Sequence, residues 1–400
     1  MSYLLRAQAI SEDLIVSRRY LHKNPEIGMY LPKTSRFVAE KLAEIGCTPI
    51  SIGKSGISSL IGNRNSDNIM LLRADMDALP MKETSGLTFA AQGEYAHTCG
   101  HDMHTAMLLG AARLLKEDEK SLNGGVKLMF QGGEETLEGA KDMINNGILD
   151  APKVKAAFSI HVMPMIPLGF VGYGSGTVAS SCDIFNIIIN GHGGHAARPH
   201  NTVDPVSIAV SLYQAINSLI VKEVDPNEMA LINIGLLRAG ELENVIPETA
   251  LLGGTLRTYN NSLQTVLRRR LVELTESMAA AFKANASVVF KSSVCALNID
   301  LGVTNIINKG LMTMLGEKAV IFIKDKMSMS EDFAEVASKV PSAYYVLGCG
   351  TSKQPERYIN HHPKVIFHEG VLPIGAAVYA QAAANWINKG ISQETFLQTV

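Results

Sequence analysis

Ile69-Met70-Leu71-Leu72 and Val126-Lys127-Leu128-Met129-Phe130 decide the fold. Both are short, largely apolar runs, and Ile57-Ser58-Ser59-Leu60-Ile61 and Val154 to Ile160 repeat the pattern on either side. Bounded by glycines and charged loops, such runs read as strands of a mostly parallel sheet, buried on both faces and so free of strict polar–apolar alternation. Helical patterns fall between them: over 3–22, from the Thr34-Ser35 cap to Gly46, and from near Met103. The expected fold class is α/β, a mostly parallel central sheet with helices on both faces.

The pattern changes near residue 181. Ile184 to Ile189 reads as a strand, Val203 to Ile220 as a helix, Met229 to Leu237 and Ala250 to Tyr259 as strands. A long helix from Ser262 to about Ala284 and a strand near Val288-Val289-Phe290 complete a βαββαβ unit, the ferredoxin-like order. Strand–helix alternation of the first kind then resumes and ends in an Ala-rich helix over 374–386. The reading is a discontinuous catalytic domain, 1–180 and 296–400, with a second domain, 181–295, inserted into it.

Composition narrows the classes. The chain has 400 residues, long enough for two cores, and its 46% hydrophobic and 18% charged content excludes disorder. A net charge of −2 without a basic run gives no footprint for nucleic acid or a membrane surface. No apolar stretch reaches membrane-spanning length. The five cysteines, at 47, 99, 182, 295 and 349, are scattered and odd in number, which argues for a reducing, cytoplasmic setting.

Chemistry concentrates in Cys99-Gly100-His101-Asp102-Met103-His104, a thiol, two imidazoles and a carboxylate in six residues. Such donors suit a transition metal, and an extended or looped Cys-x-His would point both side chains one way. The plainer alternative is a buried cysteine with histidines bonded to backbone carbonyls. Further polar clusters stand where strands should end, the usual place for ligands in open α/β sheets: Asp75-Met76-Asp77, Glu134-Glu135 and His161. Adjacent glutamates repel, so burying both calls for a cation; one can ligate while the other takes a proton from water that a metal acidifies. Asp75 and Asp77 stand where orienters of ligating histidines stand, or cap a turn before Leu79-Pro80. Within the insertion, Gly193-Gly194-His195 offers an imidazole on a loop that permits close backbone approach.

Read in order, LHKNPE (21–26), LLRADMDALP (71–80), HTCGHDMH (97–104), FQGGEE (130–135), IHVMP (160–164), GGHAARPH (193–200), NVIPE (244–248), GTLRTY (254–259), SEDF (330–333) and HHP (361–363) span nearly the whole chain. The set resembles the dinuclear-metal amidohydrolases and peptidases that include aminoacylases, hippurate hydrolases and auxin-conjugate (IAA-amino acid) hydrolases. The resemblance implies a metallopeptidase-like catalytic domain and two divalent transition-metal ions bound by Cys99, His101, Glu135, His161 and His361. Zinc and manganese lead among those ions, with cobalt and nickel as further options. It implies Glu134 as general base, Asp77 as an orienter, His195 as oxyanion stabiliser acting from its own or a partner subunit, and Asn244 and Arg257 as holders of the substrate carboxylate. It also implies a homodimer formed through the insertion, which doubles as a lid. The substrate expected is a small N-acyl amino acid or dipeptide-like amide, without nucleic-acid or membrane partners.

Two positions depart from the family pattern. Gly132-Gly133 stands where Pro-Ala is usual, and Asn360 replaces the leucine before His361, leaving His362 as a rival ligand. Three other readings are a carboxypeptidase or dipeptidase on the same scaffold, an amidase with Cys99 as nucleophile beside His101 or His104, and a catalytically silent binding protein that kept the fold, against which the full set of candidate ligands weighs.

Overall fold

A computed structural model describes residues 1–350 and 358–388. The described residues form two compact units, one from residues 1–176, 298–325, 335–350 and 358–388, the other from Thr177–Leu297 and Lys326–Ala334. The 326–334 segment, counted with 296–400 in the sequence reading, packs with the second unit.

The first unit holds a mixed eight-stranded sheet. Its spatial order is Ile50–Ile52, Gly56–Gly62, Gly125–Gln131, Ile69–Asp75, Ala156–Pro167, Ser342–Gly350, Val171–Tyr173 and Val320–Phe322. The middle four strands run parallel, and an antiparallel neighbour flanks them on each side. Ile69–Asp75, Gly125–Gln131 and Ser342–Gly350 are buried from end to end, as runs without alternation require. Met70, Leu72, Val126, Leu128 and Phe130 face one core shared with helices His101–Glu117 and Leu372–Ile387. Among the described residues, no helix is long and apolar enough to cross a membrane.

Three local differences from the sequence reading have physical causes. The helix expected over 3–22 is two, Tyr3–Ala9 and Ser11–Lys23, broken at Ile10. Glu12 and Asp13 favour a fresh N-terminus there, and Arg6 is drawn to Glu117 and Asp118. The helix expected near Met103 starts at His101, because Gly100 takes the left-handed conformation (φ 96°). A Cβ there would come within 2.5 Å of Val162, so glycine alone permits this close approach. The strand expected to stop at Ile160 continues to Pro167, so His161 lies inside it.

In the second unit four antiparallel strands lie in the order Ala230–Ala239, Thr249–Thr258, Cys182–Asn190, Asn285–Val294. Helices Pro205–Glu223 and Asn261–Ala281 share one core with the strand face bearing Phe185, Ile187, Ile232, Leu252 and Leu256. This is the ferredoxin-like arrangement.

Phe158 is fully buried and meets Tyr345 and Tyr379 edge-on, with centroids 5.2 and 5.6 Å away. Phe158→Ala should lower unfolding free energy by about 3–5 kcal/mol in chemical denaturation. A loss below about 1 kcal/mol would mean that the sheet centre repacks freely.

Candidate metal centre

The candidate ligands of the first unit converge from separate elements. Strand Ile69–Asp75 ends in Asp75, with Asp77 two residues on; helix His101–Glu117 begins at His101; Glu134 and Glu135 follow strand Gly125–Gln131. His161 is within Ala156–Pro167, and His361 comes from a loop whose backbone amide donates to Thr98 O at 2.9 Å. Asn360, the departure noted above, ties that loop down by donating from Nδ2 to Cys99 O at 2.9 Å.

Two of the donor triads that result contain the Cys99 sulfur. The ligand atoms of Cys99, His101 and His161 lie within 4.8 Å of one another, as do those of Cys99, Glu135 and His361, so the triads share one sulfur. Cys99 Sγ is 3.4 Å from His161 Nε2 and 3.3 Å from His361 Nε2. His361 Nε2 is 3.4 Å from Glu135 Oε1, and His101 Nε2 is 3.9 Å from both Glu134 Oε2 and Glu135 Oε1. His361 adopts a left-handed backbone (φ 67°), a costly conformation for a histidine and one that recurs at functional sites. His362 points elsewhere, stacked on Tyr358 at 4.1 Å.

Hydrogen bonds set the lone pairs. His101 Nδ1 donates to Asp77 O at 2.8 Å and His161 Nδ1 to Val162 O at 2.9 Å, so in the neutral form of each ring it is Nε2 whose lone pair faces the cluster. Asp77 orients more than a histidine, for its carboxylate accepts the amides of Glu134 and Glu135, both at 3.1 Å. His101 Nε2 and Glu135 Oε1 are buried without a hydrogen-bond partner. Orphaned atoms of that kind, beside a thiol and imidazoles, fit a divalent cation. The electrostatics agree. Burial would pull His101 down, yet Asp75 and Cys99 raise it well above the ordinary histidine value. Contacts with Cys99 and then Glu135 push His361 up to about 10, so the cluster is short of positive charge. Burial, reinforced by His104, holds His161 well below the usual range and keeps it neutral.

His104 has no role as a base for Cys99. Its Nδ1 donates to Asp75 Oδ1 at 2.6 Å and its Nε2 accepts from Val162 N at 2.9 Å. At Gly132-Gly133 there is no room for side chains without rearrangement. A Cβ at 132 would meet Ser55 Oγ at 2.3 Å and one at 133, where φ is +75°, would meet Met29 Sδ at 2.1 Å.

Sequence reasoning missed the support behind the ligands. Arg73, buried in mid-strand, donates to Asp75 Oδ2 and Gln131 Oε1 at 2.8 and 3.0 Å. Asp102 Oδ2 accepts from Arg18 Nε and His22 Nδ1, both at 2.8 Å, and His22 Nε2 reaches Glu83 Oε1 at 3.1 Å. The only signal was a charged residue within an apolar run.

The remaining candidates belong to the second unit. His195 and Asn244 are exposed and share a two-stranded ladder: His195 pairs with Val245, and Ala196 N donates to Asn244 O at 3.1 Å. His195 Nδ1 accepts from Ala197 N at 3.1 Å, so Nε2 carries the proton. Arg257 is half-buried on strand Thr249–Thr258.

A mixed α/β sheet with thiol, imidazole and carboxylate donors at its strand ends defines a metal-binding hydrolase of amide bonds. The sequence profile described as peptidase family M20/M25/M40 matches residues 71–385, and the chain belongs to that family. Thermostable carboxypeptidase 2 of Saccharolobus solfataricus is 31% identical over 385 residues, 94% of this chain and 96% of that one. N-acetyl-L-cysteine deacetylase of Bacillus subtilis is 35% identical over 344 residues, 85% and 81% of the two. IAA-amino acid hydrolase ILR1-like 2 of Arabidopsis thaliana is 34% identical over 401 residues, 97% and 88%. Among solved structures, a dinuclear metal-binding M20 peptidase from Bacillus subtilis superposes with a TM-score of 0.78 at 27% identity, covering 94% of this chain and 98% of that one.

Burial alone would pull the His22 imidazole down, but the charge and bond of Asp102 and the bond of Glu83 raise it above its ordinary value. The stability it contributes is complete below the unfolded value of about 6.5 and is lost as pH rises through the raised folded value. The stability gap between wild type and His22→Gln should therefore shrink as pH rises from about 6 to about 9 in denaturation series. A constant gap would identify a neutral imidazole.

Proposed function

We propose that this protein removes the acyl group from N-acyl amino acids or related amide conjugates, with two divalent ions held by Cys99, His101, Glu135, His161 and His361. The observation that carries the reading is the pair of donor triads meeting at one Cys99 sulfur, with Glu134 beside them. A thiolate with imidazoles suits zinc or manganese, and cobalt or nickel would also fit. When bound, such ions supply Lewis acidity to water and to the scissile carbonyl.

Glu134 takes the proton of the attacking water and returns it to the departing amine, as microscopic reversibility requires. Its backbone amide, bonded to Asp77, keeps the carboxylate at the cluster. His195 donates from Nε2 to the oxyanion of the tetrahedral intermediate. Asn244 and Arg257 hold the substrate carboxylate. The 181–295 insertion acts as lid and as homodimer interface, and the exposed His195 serves the partner's site. Five free cysteines suit a cytoplasmic enzyme. The Saccharolobus relative favours carboxypeptidase activity, whereas the deacetylase and the auxin-conjugate hydrolase favour deacylation. A panel of N-acyl amino acids and dipeptides, scored for amine release, separates the two.

Metal analysis of purified protein should give about two transition-metal ions per chain. Cys99→Ala should lower metal content and activity together. Glu134→Gln should keep the metal and lose at least about a hundredfold in turnover, whereas Glu135→Gln should lose metal. Full activity in metal-free protein would instead favour a Cys99 nucleophile.

Mixing inactive His195→Ala and Glu134→Gln subunits should restore part of the activity, because hybrid dimers then carry one intact composite site. No recovery in verified hybrids, or an active monomer, would confine His195 to its own subunit.

A further inference from the structure

Within the second unit, Arg257 is a cation without a carboxylate. Among the described residues no acidic group lies within ion-pair distance, and its one hydrogen bond runs from Nη1 to Ser330 Oγ at 2.9 Å. Ser330 arrives from far along the chain, on the 326–334 segment. That segment is laced to the strands of this unit: Met327 N donates to Val178 O at 2.8 Å and Ser180 N to Met329 O at 3.0 Å. Tyr259 Oη donates to Met327 O at 3.2 Å, and Lys326 Nζ lies 4.8 Å from the Tyr259 ring centre. The neighbouring strand supplies the other side. Leu256 pairs with Asp183, so the register sets Arg257 beside Cys182, which is buried and also bonds the Ser330 side chain.

A free arginine side chain samples many rotamers, whereas a planar fork held at one nitrogen is pre-organised for a bidentate carboxylate. Serine suits that task. Its hydroxyl accepts from the guanidinium without neutralising it, as an aspartate would.

We propose that Ser330 is a positioning residue for substrate selection, fixing the Arg257 fork so that amides bearing a free carboxylate are preferred over uncharged analogues. This rests on the reading of Arg257 as the carboxylate holder. Ser330 does not touch the reacting atoms; it acts through Arg257.

The test compares an N-acyl amino acid with its C-terminal primary amide, using the full metal-loaded enzyme. Ser330→Ala should raise KM for the acid about three- to tenfold, leave kcat within about twofold and leave the amide's kinetics unchanged. Ser330→Thr, which keeps the hydroxyl, should restore the acid's KM. Arg257→Ala should abolish the preference for acid over amide, and adding Ser330→Ala to it should cost nothing more. Melting temperatures accompany each variant, and Ser330→Gly is a second hydroxyl-free variant should Ser330→Ala not fold. An unchanged KM for the acid in Ser330→Ala, or equal losses on acid and amide, would overturn the positioning role and leave Arg257's role intact. Retained acid preference in Arg257→Ala would overturn the reading beneath it, and the proposal with it.

Discussion

The candidate centre hangs on Asp77. Its two carboxylate oxygens each accept one backbone amide, from Glu134 and Glu135, and its carbonyl accepts the His101 ring proton. One residue beyond a strand end thus fixes the glutamate turn and the first residue of a helix. The side chain is almost completely buried, and the two amides satisfy one oxygen each. The backbone of the site and its electrostatics are therefore one problem with one solution.

A second layer has the same logic. Arg73 with Asp75, and Arg18 and His22 with Asp102 and Glu83, place buried cations against buried anions behind the ligands. Removing either member of such a pair strands a charge in a low-dielectric interior, which costs far more than the pair's net attraction. These groups give the ligand loops a stiff footing. The Cys99 loop and the His361 loop also brace each other directly, through Thr98 O and through the Asn360 amide.

Much of this was legible in the residues. Unalternating runs such as Ile69-Met70-Leu71-Leu72 predict a sheet covered on both sides, and the change of pattern near 181 predicts a second fold. The donors in Cys99–His104 stand out because thiol and imidazole rarely crowd so closely by chance. Spacing could not separate His361 from His362; what distinguishes them is a left-handed backbone at His361, whose ring meets Cys99, and the stacking of His362 on Tyr358. Nor could it find the work of His104, whose partners, Asp75 and Val162, come from two different strands. Ser330 and Arg257 are 73 residues apart, and only the lacing of the 326–334 segment brings them together. Long-range pairing of that kind leaves no periodic trace.

The glycine pair at 132–133 constrains what the loop can become. Met29 and Ser55 occupy the space that side chains at those positions would fill. Pro-Ala at 132–133 would require Ser55 and Met29 to move or shrink, and its alanine would sit at a backbone φ of +75° that favours glycine. The loop and its surroundings form an epistatic set. Which residues the glutamate loop tolerates is therefore decided partly at positions 29 and 55, distant in sequence, and a change at any of the four sites alters what the others can be.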